Sequence, residues 1–107
     1  MMHSTLAAGR WQQMTIAEQL GNVGSEFGRA LNWKRRGDKE KFDAAMARFL
    51  ELFDLTITDE RWQGPRRKEL ARAREESVSL LSGNETGRQA GLEKYFLHFA
   101  ILARSKH

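Results

Sequence analysis

Residues 15–37, TIAEQLGNVGSEFGRALNWKRRG, contain both the start and the stop signal of one helix. Thr15 and Glu18 match the capping box, in which each side chain accepts a hydrogen bond from the backbone N–H of the other residue. Apolar side chains then recur every three or four residues, and Gly37 suits the left-handed conformation that ends many helices. The stretch predicts an amphipathic helix over about residues 15–36.

Three further helices are predicted after this stretch. Asp38 is a favourable N-cap, and Pro65 suits the first turn of a helix that follows the break at Gly64. Apolar side chains recur at helical spacing after each of these points and again near the C-terminus. The four predicted helices span about residues 15–36, 38–58, 65–82 and 91–104.

The expected fold class is all-α, because the chain has one Pro, few β-branched residues and no sustained alternation of polar and apolar side chains. Short connections favour a four-helix up-and-down bundle with antiparallel neighbours. A chain of 107 residues fits one domain. We therefore predict a single domain over residues 1–107, in which residues 1–14 form an N-terminal arm.

Composition excludes several classes of protein. The chain has no Cys, which rules out disulfides, thiolate zinc sites and cysteine nucleophiles. The longest apolar stretch, residues 95–103, is interrupted by His98 and is far shorter than the roughly 20 residues of a membrane helix. No secretory signal pattern precedes Met14. We expect a cytoplasmic protein that neither enters a membrane nor binds a metal or a cofactor.

No catalytic pattern is found in the sequence. It contains no G-x-S-x-G element and no Glu-x-x-His motif of the kind that binds metals in helical bundles. The expected role is therefore that of a non-catalytic interaction or regulatory module rather than an enzyme. A weaker hypothesis places Glu18, Glu26 and Arg74 together as acid–base groups in a pocket.

Arg74 falls among the inward-facing positions of the third predicted helix. A charge that points inward requires a partner. We expect Arg74 to form a structural ion pair with a carboxylate of the first helix, Glu26 first and Glu18 second, which would fix the register between the two helices.

Two predicted helices have apolar side chains outside their main apolar face. Such pairs on one surface indicate an interaction site, and a symmetric homodimer is the simplest partner. The alternative is that residues 1–14 fold back and cover them. The predicted dimer interface consists of Leu52, Leu55, Leu97 and Ile101.

The basic charge supports a second function. Eighteen Lys and Arg against fourteen Asp and Glu give a net charge of +4, so binding of RNA or DNA is an alternative to self-association. Cations at the end of the first helix, residues 34–36, are accounted for in part by the helix dipole. The helix dipole does not account for the cations at the start of the third predicted helix. The nucleic-acid contacts would be Arg66, Arg67, Lys68 and Arg72.

Gly21, Gly24 and Gly28 lie inside the first predicted helix, although each glycine destabilises a helix interior by about 0.8–1 kcal/mol relative to Ala. Together with Ala17 they form a ribbon of small residues beside the apolar stripe. This ribbon predicts close packing of a neighbouring helix, and a ligand-binding groove is the alternative.

Residues 11–29, WQQMTIAEQLGNVGSEFGR, resemble the opening of an uncharacterised family of short prokaryotic four-helix-bundle proteins. The similarity continues through FLELFDLTITDERW (49–62), LARARE (70–75) and GLEKYFLHFAILAR (91–104). The resemblance implies a helical bundle. It implies no activity and no site residue.

Overall fold

The computed structural model describes residues 9–83 and 87–105, in which four α-helices and no strand occur. α1 packs most extensively against α2 and α4, and this arrangement confirms the all-α bundle. Residues 1–8 of the predicted arm lie outside the described residues. A short 3-10 turn, Trp11–Gln13, precedes α1 (Ile16–Arg36), α2 (Lys39–Ile57), α3 (Pro65–Ser82) and α4 (Gln89–Ser105).

The helix ends follow the local signals in the sequence. The Glu18 backbone N–H donates to Thr15 Oγ1 at 3.1 Å, and the Thr15 N–H donates to Glu18 Oε1 at 2.8 Å, which completes the capping box. Gly37 ends α1 with a φ of 72°. The Asp38 side chain caps α2 by accepting from the Lys41 N–H, and Pro65 opens α3. These four signals are confirmed.

An aromatic cluster fills the centre of the bundle where α1, α2 and α4 meet. The ring centroids of Phe27 and Phe96 are 5.2 Å apart, and those of Phe49 and Phe53 are 5.5 Å apart. Aromatic pairs at such distances contribute about 0.5–1.5 kcal/mol beyond the area that they bury. Among the helices of the described residues, α1 alone packs extensively on two others, so it organises the core.

Two glycines of α1 lie directly beneath α4. A Cβ atom at Gly24 would lie 2.5 Å from the Phe96 Cβ, and one at Gly21 would lie 3.4 Å from the Ala100 Cα. The predicted close packing is therefore confirmed for these two positions. Gly28 has nothing within 4 Å of such an atom and plays no part in the contact.

The core-facing side of α2 includes Leu52, which the sequence pattern places outside the main apolar face of this helix. Leu52 and Thr56 are buried, whereas Leu50 and Ile57 are only half-buried. The side shifts because Trp11, which precedes α1, also packs into the core and donates its indole N–H to Thr56 Oγ1 at 3.2 Å. The sequence pattern of α2 alone contains no information about this additional neighbour.

None of the helices formed by residues 9–83 and 87–105 has the length and apolar character required to cross a membrane.

Candidate interaction surface

Exposed apolar side chains concentrate on α4. Leu97 is 53% exposed and Ile101 49% exposed, while Phe96 and Phe99 on the same helix are buried. Leu97 and Ile101 lie one helical turn apart, so they form a continuous apolar patch. Single exposed leucines are common on protein surfaces, but a contiguous apolar patch indicates an interaction site.

Opposite charges stand at the two ends of this patch. Glu93 precedes Leu97 by one turn, and Arg104 follows Ile101 by three residues, so helical spacing places all four side chains on one face. Glu93 and Arg104 are exposed and take part in none of the ion pairs formed among residues 9–83 and 87–105. We refer to Glu93, Leu97, Ile101 and Arg104 as the α4 face.

The α4 face borders a shallow groove on α1. Gly21, Asn22 and Ser25 of α1 line a space of about 260 Å³ together with Ala100 and Arg104 of α4. The Asn22 amide donates to the Glu18 carbonyl at 2.8 Å, and the Ser25 hydroxyl donates to the Gly21 carbonyl at 3.2 Å. A partner that covers these side chains would leave both of these donors paired with α1.

The predicted dimer interface divides into two parts in the structure. Leu97 and Ile101 are exposed, and Leu55 is half-buried, but Leu52 is only 4% exposed. Leu52 belongs to the same core cluster as Trp11, so its inclusion in an intermolecular surface is wrong. The alternative therefore holds in part for α2, because Trp11 of the predicted arm packs in the same core cluster as Leu52, whereas Leu97 and Ile101 of α4 are exposed.

A buried polar network holds the residues before α1 in place. Gln19 is fully buried, and its Nε2 donates to the Trp11 carbonyl at 2.9 Å and to Asp59 Oδ2 at 3.0 Å. The Trp62 indole N–H donates to Gln19 Oε1 at 2.8 Å. Arg61 donates to Asp59 Oδ2 and to the Met14 carbonyl. We refer to these six residues as the Gln19–Asp59 network.

The sequence carries little sign of the Gln19–Asp59 network. The one available signal is that Gln19 interrupts the apolar stripe between Ile16 and Leu20. The side-chain hydrogen bonds from Arg61, together with those from Gln19 and the Arg61 backbone, lower the pKa of Asp59 from 3.8 to about 2 against the opposing effect of burial. Because the carboxylate is already paired, the network has a structural role.

We expect Asp59 to make stability depend on pH at the acidic end of the scale. A carboxyl whose pKa is lower in the folded state stabilises the protein above pH 3.8, and this contribution is lost as the pH falls toward 2. The loss amounts to about 2 kcal/mol, since one pKa unit corresponds to about 1.4 kcal/mol. Urea unfolding followed by circular dichroism between these two pH values measures it.

In that experiment Asp59→Asn is expected to weaken the pH dependence of the free energy of unfolding, because the substituted side chain does not titrate. Asp43→Asn serves as the control, because Asp43 forms only an exposed ion pair with Lys39 and such pairs contribute about 0–1 kcal/mol. Equal slopes of stability against pH in the wild type and in Asp59→Asn would contradict the assignment.

The basic cluster at the start of α3 is partly used inside the fold. Arg67 donates to the Asp59 carbonyl at 3.0 Å, and Arg66 lies 3.6 Å from Glu69. Lys68 and Arg72 are exposed and enter none of the ion pairs in the described ranges. Two free cations one turn apart form a much smaller footprint than the predicted cluster of four.

The cations at the end of α1 also have structural partners. Lys34 Nζ donates to the carbonyls of Leu80 and Gly83 and so satisfies acceptors at the C-terminal end of α3. Arg36 and Lys41 lie over the ring of Trp33, with the Lys41 Nζ 4.5 Å from its centroid. These contacts give Lys34, Arg36 and Lys41 structural roles that do not require a nucleic-acid partner.

The predicted ion pair between Glu26 and Arg74 is wrong. Glu26 pairs with Arg29 at 2.9 Å and with Arg48 of α2 at 3.2 Å. Arg74 instead pairs with Asp54 of α2 at 2.8 Å. α3 therefore joins the bundle through α2 in this contact.

The acid–base hypothesis loses its geometric basis as well. The Glu18 carboxylate belongs to the capping box, Glu26 is held by two arginines, and Arg74 lies against another helix. The three side chains do not converge on one site.

A groove of about 480 Å³ separates α3 from α4, with Ala73, Leu92 and Tyr95 among its lining residues. The Tyr95 hydroxyl donates to Glu69 Oε2 at 2.9 Å, and burial raises the pKa of this phenol above its ordinary value. Arg88 and Glu76 form an ion pair at 3.5 Å in the same groove. These contacts join α3 to α4, so the polar side chains that line the groove have a structural role.

No group of three or more His, Asp or Glu side chains suited to a metal ion occurs within residues 9–83 and 87–105. Comparisons of the chain with protein-family models, curated proteins and solved structures find no match. The functional interpretation therefore depends on the chain's own surfaces, of which the α4 face is the most distinctive.

Proposed function

We propose that this protein is a non-catalytic interaction module that self-associates through the α4 face. The single observation that carries the proposal is the exposure of Leu97 and Ile101 side by side on one helix. Burying such side chains between two copies stabilises the dimer by about 25 cal/mol for each Å² of apolar surface that is removed from water.

The surroundings of the α4 face favour a protein partner. Asn22 and Ser25 on the neighbouring helix have small side chains that are hydrogen-bonded to α1 itself. Polar groups at the rim of an apolar centre are typical of protein–protein interfaces. Because the apolar centre is small, we expect a dimer with a Kd of about 10–100 µM rather than an obligate assembly.

Sedimentation equilibrium at several protein concentrations tests this function. The wild-type chain is expected to pass from monomer to dimer as concentration rises. Leu97→Asp places a charge in the apolar centre, and we expect it to raise the Kd by at least about tenfold. A wild-type protein that stays monomeric well above the expected Kd would contradict the proposal.

Ala71→Asp provides the matched control, because Ala71 is an exposed helical residue on α3. It introduces the same charge on a surface that is not part of the α4 face. The control is expected to dimerise like the wild type. Circular dichroism of both variants shows whether the helices are intact, so that loss of association is not confused with loss of folding.

A further inference from the structure

We infer that two copies pair with their α4 helices antiparallel, so that Glu93 of each copy lies beside Arg104 of the other. The inference rests on the proposed self-association and specifies its geometry. It is carried by the charges of the α4 face: one acidic and one basic side chain, both exposed and both without an ion-pair partner among the described residues.

Helical geometry places these two charges on the same edge of the apolar patch. At about 100° per residue, Glu93 and Arg104 are only about 20° apart around the α4 axis, and Leu97 and Ile101 lie to one side of both. In an antiparallel pair related by a two-fold axis, equivalent edges of the two helices face each other. The edge that contains Glu93 and Arg104 therefore meets its own copy in reverse order.

The axial positions agree with this pairing. When Glu93 is level with Arg104 of the other copy, the two-fold axis passes between His98 and Phe99, near the middle of the apolar patch. Leu97 of one copy is then about one residue from the level of Ile101 in the other. A single register thus aligns the apolar side chains and both ion pairs.

A parallel pair would not bring the opposite charges of the two α4 faces together. In that arrangement each residue is level with itself, and opposite edges of the helices face each other. Arg104 would then lie near Ser105 of the second copy and would have no acidic partner from the α4 face. The antiparallel arrangement also brings opposite ends of the two helix dipoles together.

Charge reversal tests the register. Glu93→Arg places two cations in each contact, and Arg104→Glu places two anions there. We expect each variant to raise the dimer Kd by about tenfold at low salt. Two-fold symmetry places the repulsive contact in the dimer twice, so its effect is doubled. The doubly reversed chain, Glu93→Arg with Arg104→Glu, restores opposite charges and is expected to return to within about threefold of the wild-type Kd.

Mixing the two single variants tests whether the charges of the α4 face lie in the contact. A heterodimer of the Glu93→Arg chain with the Arg104→Glu chain has an attractive pair at both contacts, so it should form more tightly than either homodimer. Isotope-labelled copies of one variant allow the heterodimer to be identified by native mass spectrometry. Because a parallel heterodimer would also join a cationic face to an anionic one, the register itself is decided by cross-linking.

Cross-linking provides a second, independent measurement. The chain contains no cysteine, so Glu93→Cys and Arg104→Cys copies introduce the only thiols. We expect oxidation to join one variant to the other in the mixture and to leave each variant alone largely uncross-linked.

The outcomes separate the two levels of the proposal. A monomeric wild type overturns the self-association itself. A wild type that dimerises and is disrupted by Leu97→Asp, but shows no selective cross-linking, retains the self-association and overturns the antiparallel register. Recovery on mixing together with selective cross-linking supports both.

Discussion

Trp11→Ala is expected to lower the free energy of unfolding by about 3–5 kcal/mol, the largest loss that we predict for one substitution in this protein. The indole is 1% exposed, and its N–H donates to the buried hydroxyl of Thr56. Removing it opens a cavity at the end of α2 and withdraws a donor from Thr56. Urea unfolding monitored by far-ultraviolet circular dichroism measures the loss.

Trp11→Phe and Trp33→Ala separate the causes of this effect. The Phe variant keeps most of the buried ring but loses the hydrogen bond, so we expect a cost of about 1–2 kcal/mol. Trp33 is only half-buried, and truncating it should cost less than half as much as truncating Trp11. Equal losses for Trp11→Ala and Trp33→Ala would contradict the structural role given to the segment before α1.

Gly24→Ala is expected to destabilise the protein by about 2–3 kcal/mol, although alanine is the better helix former. The added Cβ would lie 2.5 Å from the Phe96 Cβ and 2.9 Å from its Cγ, so α4 must move away from α1. Displacing Phe96 also disturbs its ring contacts with Phe27 and Phe53. The same urea titration provides the measurement.

Gly28→Ala in the same helix is the matched control. No atom lies within 4 Å of the added Cβ, and the position is exposed. We expect a gain of about 0.5–1 kcal/mol, because only the helix propensity changes. If both variants shifted stability in the same direction, the close contact between α1 and α4 would not be the cause.

The helices were predictable because their ends are specified by nearby residues. Thr15 with Glu18 and Gly37 determine where α1 begins and ends, and Asp38 and Pro65 open the next two helices. α4 begins at Gln89 rather than near residue 91, where no comparably strong cap marks the start. Signals of this kind act over three or four residues, so a single sequence reveals them.

The partners of long side chains were not predictable in the same way. Glu26 pairs with Arg48 and Arg74 pairs with Asp54, rather than with each other. Guanidinium and carboxylate groups pair with whichever opposite charge the packing of the helices brings within reach. Gln19 and Asp59 are 40 residues apart, and no local pattern connects them. Leu52 was misplaced for a similar reason, since Trp11 reaches the core from outside α2.

The candidate interaction surface was half predictable. Leu97 and Ile101 were identified because α4 has apolar side chains on more sides than one bundle core can bury. The sequence alone could not distinguish them from Leu52, whose environment depends on a segment distant in the chain. The charges that frame the patch, Glu93 and Arg104, become informative only once both are known to lack partners in the described parts of the chain.

The contact between α1 and α4 also has a consequence for synthesis on the ribosome. About 70 residues separate Gly24 from Phe96, so at about 5–20 residues per second several seconds pass before the second side of this contact is translated. During that interval α1 can associate with α2, but the glycine-lined side that receives α4 has no cover. A nascent chain of this protein therefore exposes the side of α1 that contains Gly21 and Gly24 until α4 emerges.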